Sequence, residues 1–344
     1  MNRRLLVAYG ALAALLACAP FALDGYWLDV LNNVGLYALL ALSLNLILGD
    51  AGLFNMGQAA FYAVGAYTTA ILNTRVGMPI LWTLPLAAIA AAVFAAVVAR
   101  PVIRLRGDYL LIVTIGMGEI VRIALVNDVF GLTGGANGIF GIARPEILGY
   151  RLRRPPQADF FYLIWGFVAL TVFLFHRLEQ SRFGRALNYL REDETAAEGS
   201  GVNTLRYRLF AFVLGASWAG MAGSIYASKM SIISPESFSF WESVVLFMIV
   251  ILGGSGSIPG VLVGSFLVVG LPEMFRGFAT ARMAVFGVVM MVMMVFRTQG
   301  LLPFRCPRFR EADLSRAEAA LAAARAKSAA GAAAASAVKA GVAP

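Results

Sequence analysis

The sequence predicts an all-α fold, a polytopic transmembrane helical bundle of about ten membrane segments, and three observations predict it. First, 60% of the residues are apolar and only 14% charged, with a mean hydropathy of +0.77, well outside the range of a soluble globular domain. Second, apolar runs recur from Leu5 to Phe296, each near the length of about 20 residues that a hydrocarbon core requires of a spanning helix. Third, the basic residues lie in short runs between those stretches, as membrane orientation requires. That distribution sets nucleic acid aside as a partner despite a formal charge of +9, and names the lipid bilayer instead.

Breaks at Gly, Pro, Asn and charged residues place the segments at about 5–23, 30–48, 54–72, 80–98, 110–127, 160–175, 209–227, 240–252, 259–271 and 281–296. The first follows Arg3 and Arg4 and is read as a spanning helix, although Leu15-Leu16-Ala17-Cys18 and the small residues before Pro20 also resemble a leader. Trp27, Tyr109 and Trp241 fall at segment starts, where amphipathic rings suit a membrane interface. The eighth and ninth segments are short, joined by Gly253-Gly254-Ser255-Gly256-Ser257-Ile258, so the chain has either ten spans or eight plus a re-entrant pair. With the amino terminus inside, 19 basic residues fall inside and eight outside, which predicts that both termini are cytoplasmic. Residues 1–303 then form one membrane domain with a cytoplasmic loop at 176–208. Residues 304–344 form an Ala-rich cytoplasmic tail, a marginal helix over 311–327 and disorder beyond.

Membrane helices associate through close backbone approach at small residues. Gly215, Ala219 and Gly223 recur every four positions, as do Gly260 and Gly264, and mark helix contacts. Glu119 and Arg122 share a face of the fifth segment, either as a structural pair or with Glu119 lining a translocation path. Asn45, Asn55 and Gln58 flank a break at Gly49 and Gly52, and serve either interhelical hydrogen bonds or the path.

Several chemistries are excluded. A phosphate-cradling loop needs Gly-Lys followed by Ser or Thr, and the three lysines, Lys229, Lys327 and Lys339, follow Ser, Ala and Val. Two cysteines, Cys18 and Cys306, and the lone His176 predict no metal site and no disulfide framework, and no cofactor is expected. No protease, hydrolase or paired-carboxylate pattern appears, so the chain is read as a non-enzyme. In the 176–208 loop, a helix is expected over 185–198 between Gly184 and Gly199, with Leu187, Leu190 and Ala197 on one face, suited to docking a partner.

This loop resembles the permeases of ATP-driven importers of the ABC class, whose cytoplasmic Glu-Ala-Ala motif, followed after three residues by Gly, docks on the ATPase. Here Ala196-Ala197 and Gly201 keep the spacing, while Thr195 stands at the Glu position and Glu194 precedes it. Leu44-Asn45-Leu46-Ile47-Leu48-Gly49, Gly52-Leu53-Phe54-Asn55-Met56-Gly57-Gln58, Arg106-Gly107-Asp108-Tyr109-Leu110, Leu132-Thr133-Gly134-Gly135-Ala136-Asn137-Gly138, Gly256-Ser257-Ile258-Pro259-Gly260 and Arg297-Thr298-Gln299-Gly300-Leu301-Leu302-Pro303 narrow it. Together they are similar to the branched-chain amino acid importer permeases of the LivM type, over residues 33–303.

The resemblance implies a permease subunit in a bacterial inner membrane, beside a second related permease, two ATP-binding subunits and a periplasmic substrate-binding protein. It implies coupling to the ATPase through Glu194, Ala196, Ala197 and Gly201, and a branched-chain or related small amino acid as substrate. A stand-alone secondary transporter or channel is the alternative.

Overall fold

The computed structural model describes residues 24–105, 107–128, 131–147, 150–151, 158–274 and 300–302, with residues 20, 287 and 291 as isolated positions. Eight of the ten expected segments fall on described residues and all eight are helical. The segments at 5–23 and 281–296 and the tail at 304–344 lie outside the described residues, apart from those isolated positions.

Helix α1, Gly25–Asn45, continues as a π-helical turn, Leu46–Asp50. There follow α2 (Gln58–Val76), α3 (Ile80–Val102), α4 (Asp108–Val126) and α5 (Ala158–Gln180). The connecting helices α6 (Arg182–Glu192) and α7 (Glu194–Gly199) lead into α8 (Thr204–Met230). A hairpin follows, formed by α9 (Phe240–Gly253) and α10 (Ile258–Ser265), the latter extended by a π-helical turn, Phe266–Gly270, and the single turn α11 (Leu271–Met274). Among the described residues five helices, α1 with its π-turn, α3, α4, α5 and α8, are long and apolar enough to cross a membrane. Helix α2 has 19 residues but carries Gln58, Thr68, Thr69, Asn73 and Thr74, which lower its hydropathy.

Small residues decide the packing of α2, α3 and α8. In lipid, apolar burial supplies little attraction between helices, so van der Waals contact at close approach must do so. Ala87, Ala91, Ala95 and Ala99 form a buried four-residue stripe on α3. A Cβ on Gly220 of α8 would stand 2.8 Å from the Ala87 carbonyl oxygen, and one on Gly65 of α2 would run into the Gly220 backbone. The expected contact positions behave alike: Gly215 faces Ile47 and the Ser43 carbonyl, Gly223 faces the Tyr62 and Ala66 backbone, and Gly264 faces Gly253.

The ends of the bundle differ. One end gathers the α1 π-turn, α6, α7 and the 254–257 turn between α9 and α10. Residues 300–302 return there, where the Leu301 and Leu302 amides donate to the Leu252 and Gly253 carbonyls at 2.9 and 3.1 Å. They thereby satisfy carbonyls that the end of α9 leaves open. The opposite end carries β1 (Ile139–Phe140), antiparallel to β4 (Ile232–Ile233), and a hairpin of β2 (Glu146–Ile147) with β3 (Tyr150–Arg151).

The expected single helix over 185–198 is two helices. Asp193 is extended (φ −153°, ψ 109°) and breaks the run, and its carboxylate caps α7 by accepting from the Thr195 and Ala196 amides. The alternative to one long helix won because a capping Asp satisfies two amides that a new helix start would leave without partners. Nor does Gly184 bound the helix: it lies inside α6, against the Leu178 and Glu179 backbone, where a Cβ would collide.

Candidate functional site

The connecting segment is anchored on one face. Leu187, Leu190 and Ala197, whose shared face was expected to suit a docking partner, are instead buried within this chain and belong to two helices. Glu194 accepts from Arg208 Nη1 at 2.6 Å, tying the start of α7 to α8. Helix α7 ends in a Schellman turn: the Gly201 amide donates to the Glu198 carbonyl at 2.9 Å and the Val202 amide to the Ala197 carbonyl at 3.1 Å. Gly201 takes φ +81° there, a conformation that L side chains rarely adopt. Ala196 is exposed beside buried Ala197, so the two alanines face opposite ways: Ala197 packs within this chain and Ala196 lies on the open face.

Arg191 joins this segment to the membrane helices. Its Nη1 donates to the Gly49 carbonyl in the α1 π-turn, and its Nη2 donates to Ser255 Oγ at 3.3 Å in the α9–α10 turn. Asp50, which ends the same π-turn, is buried. The π-turn matters here because it widens the helix and frees carbonyls from the regular pattern. One guanidinium thus holds the connecting segment, the end of α1 and the hairpin turn together. Nothing in the apolar spacing of Leu187, Leu190 and Ala197 singles out Arg191. Its reach to residue 49, far away in the chain, leaves no local trace.

The amides Asn45, Asn55 and Gln58 sit close to this junction and are almost wholly buried. Asn45 Oδ1 accepts from the Gly256 amide at 2.8 Å, with Gly49 allowing the two backbones to close in. Asn55 Nδ2 donates to Gln58 Oε1 at 3.0 Å, and Gln58 Nε2 donates to Ser43 Oγ at 2.7 Å. Around them Asn55 Oδ1 accepts from the Gly57 amide, Thr114 Oγ1 from Met56 and Ser243 Oγ from Ala59. Residues 51–57 are therefore irregular backbone partly buried among helices, with Gly52 and Phe54 exposed, and side chains take its buried amides. Glu119 does not join this network. It pairs with Arg122 on α4, with side chains 39% and 30% exposed, on the least buried of the five long helices. Among the described residues no group of His, Cys, Asp and Glu could hold a metal ion.

Irregular, partly buried backbone thus lies at the end of a helical bundle beside an anchored helix pair with an open face. A family profile described as the permease component of branched-chain amino acid transport systems matches residues 26–297. The chain belongs to the branched-chain amino acid transport permease family. This permease is 38% identical over 321 residues to the high-affinity branched-chain amino acid transport permease LivM of Escherichia coli, covering 87% of this chain and 75% of that one. It is 26% identical to a probable LivM of Methanocaldococcus jannaschii over 78% of this chain and 91% of that one. It also shares 29% identity with LivH of Escherichia coli over 69% of this chain and 80% of that one. No solved structure matches the chain. As a transport permease component it is not a catalyst.

Proposed function

We propose that this permease is one of two related membrane subunits of an ATP-driven importer for branched-chain or similar small neutral amino acids. Two separate subunits hydrolyse ATP, and a periplasmic binding protein delivers the substrate. The chain lies in a bacterial inner membrane with both termini cytoplasmic, so that α6 and α7 face the ATPase.

The observation that carries this reading is the Arg191 junction. The segment carries an exposed face at Ala196 and is bound on its other face to the α1 π-turn and the α9–α10 turn. Displacement of α6–α7 by a closing ATPase pair is then transmitted to two membrane elements at once, the shift of packed elements that switches access. Glu194 and Gly201 hold the shape of the segment, Ala197 seats it, and Ala196 leaves room for the partner's backbone. The Asn45, Asn55 and Gln58 network holds the 51–57 segment at the inner part of the path. Glu119, on the exposed face of α4, faces the second permease.

The test is reconstitution in proteoliposomes. Uptake should require the second permease, the ATPase subunits, ATP and the binding protein together. Uptake by this chain alone, driven by an ion gradient, would establish a secondary transporter instead. A reporter joined after Pro303 should be active only in the cytoplasm, and periplasmic activity would reverse the orientation.

A further inference from the structure

A second polar site lies at the end of the bundle opposite Arg191. Asn33, Leu36, Tyr37 and Leu40 of α1, Tyr62 of α2, Tyr226 and Met230 of α8, Ser237, and Glu242 of α9 line a cavity of ≈ 150 Å³. That is well below the roughly 300–1,000 Å³ of drug-sized pockets and suits a small solute. Tyr37 Oη donates to Glu242 Oε2 at 2.8 Å, while the other carboxylate oxygen has no hydrogen-bond partner among the described residues. One turn before Tyr37 on α1, Asn33 Oδ1 accepts from Lys229 Nζ at 2.6 Å, and the same ammonium lies 3.9 Å from Asp29 Oδ1. An ammonium can only donate, so it fixes the amide with its oxygen toward Lys229 and leaves the NH2 group as the donor. Leu36, Leu40 and Met230 supply aliphatic surface to the same cavity, and the Tyr62 ring packs against Tyr226 and Phe238 with centroids 5.3 and 5.0 Å away.

An ionisable group inside a membrane helix is costly and calls for a purpose. Here a carboxylate, an amide held as a donor and an aliphatic wall line one small cavity. We propose that this cavity is a transit site for a zwitterionic aliphatic amino acid, with Glu242 taking the α-ammonium and the Asn33 amide the α-carboxylate. The side chain rests on Leu36, Leu40 and Met230. Tyr37 positions the Glu242 carboxylate by holding one of its oxygens. This assignment rests on the importer reading and adds the place at which the substrate is held within this subunit.

Equilibrium binding of radiolabelled leucine to the purified permease–ATPase complex, without the binding protein, tests the site. Saturable binding is expected. Glu242→Gln should weaken it about ten- to hundredfold, the range for losing a hydrogen bond to a charged group, and Leu40→Trp should abolish it by filling the cavity. Glu242→Asp keeps the charge and should retain part of the affinity, which a purely structural role would not predict. 4-Methylpentanoic acid, which is leucine without its amine, and isopentylamine, which is leucine without its carboxylate, should compete poorly. Unchanged binding in Glu242→Gln and Leu40→Trp at normal membrane abundance would overturn the site, as would the absence of any binding to a wild-type complex that still imports leucine. Failure of ATP-driven uptake by the wild-type complex would instead overturn the importer reading itself.

Discussion

Two parts of the bundle are built on opposite principles. Helices α2, α3 and α8 are regular over their length and meet through Gly65, Gly220, Gly223 and the Ala87–Ala99 stripe, with backbones nearly touching. By contrast, α1, the partly buried irregular 51–57 segment after it and the α9–α10 hairpin carry both described π-turns, the 254–257 turn and the buried amides Asn32, Asn45 and Asn55. Close-packed interiors yield to strain only by stepping between discrete arrangements. The first part therefore holds shape, and the second, already broken and reconnected through hydrogen bonds, is where shape can change. The α6–α7 segment is attached to both, through Arg191 to the second part and through Glu194 to α8 of the first.

The largest expected effect comes from breaking the first part. Gly220→Leu would drive a side chain into Ala87 and Ala91, and overpacking of this kind costs about 1–3 kcal/mol or more. Membrane abundance should fall sharply, and with it all activity. Normal abundance and transport would show that the three helices are not the rigid part.

Next comes the docking segment. Gly201→Val places a β-branched residue at φ +81°, a strain of order 1–3 kcal/mol, and Ala197→Trp puts a large ring where only a methyl is buried. Both should leave the permease in the membrane while substrate-stimulated ATP hydrolysis and uptake fall together, measured beside abundance. Ligand binding by the periplasmic protein should not change. Intact coupling in both would reduce α6–α7 to a solvated connector.

A smaller effect is expected from Gln58→Leu, which leaves Asn55 without its acceptor and Ser43 without its donor. One lost buried hydrogen bond costs about 1–3 kcal/mol. Uptake should drop several-fold with ATP hydrolysis less affected. Equal losses in both would move the network from the path to the scaffold.

The smallest concerns Asp128, whose carboxylate accepts from the Thr133 amide and hydroxyl at 2.7 and 2.8 Å. These bonds, the backbone one foremost, hold its pKa below the ordinary aspartate value. The stabilisation is therefore fully present above the ordinary value and is lost as pH falls through the lowered one. Asp128→Ala should open the 131–138 loop to protease at neutral pH without changing transport. A parallel loss of uptake would place that loop in the transport cycle.

Much of the bundle was legible because lipid demands long apolar runs, and every expected segment on described residues became a helix. Boundaries slipped where ends carry polar residues: the run at 30–48 became a helix from Gly25, and that at 160–175 extended to Gln180. The break at Asp193 had a signal, an Asp ahead of Glu194 at a new helix start, overridden by the apolar spacing of Leu187, Leu190 and Ala197. The small-residue contacts could be read because their four-residue spacing is local. Neither the Arg191 junction nor the Glu242 cavity could be, since each joins residues brought together only by the fold; Tyr37 and Glu242 lie 205 positions apart. A lone Glu in the apolar 240–252 run was nonetheless a warning of cost that the sequence did carry.

The central claim, that docking motion reaches the membrane helices through Arg191, is tested most directly by the ratio of amino acid imported to ATP hydrolysed in proteoliposomes bearing Arg191→Ala. Both its hydrogen bonds, to Gly49 and Ser255, disappear while the apolar seat of α6 stays. The account predicts a complex of normal abundance that still hydrolyses ATP but imports little substrate, so that the ratio collapses. A wild-type ratio at normal abundance would contradict it.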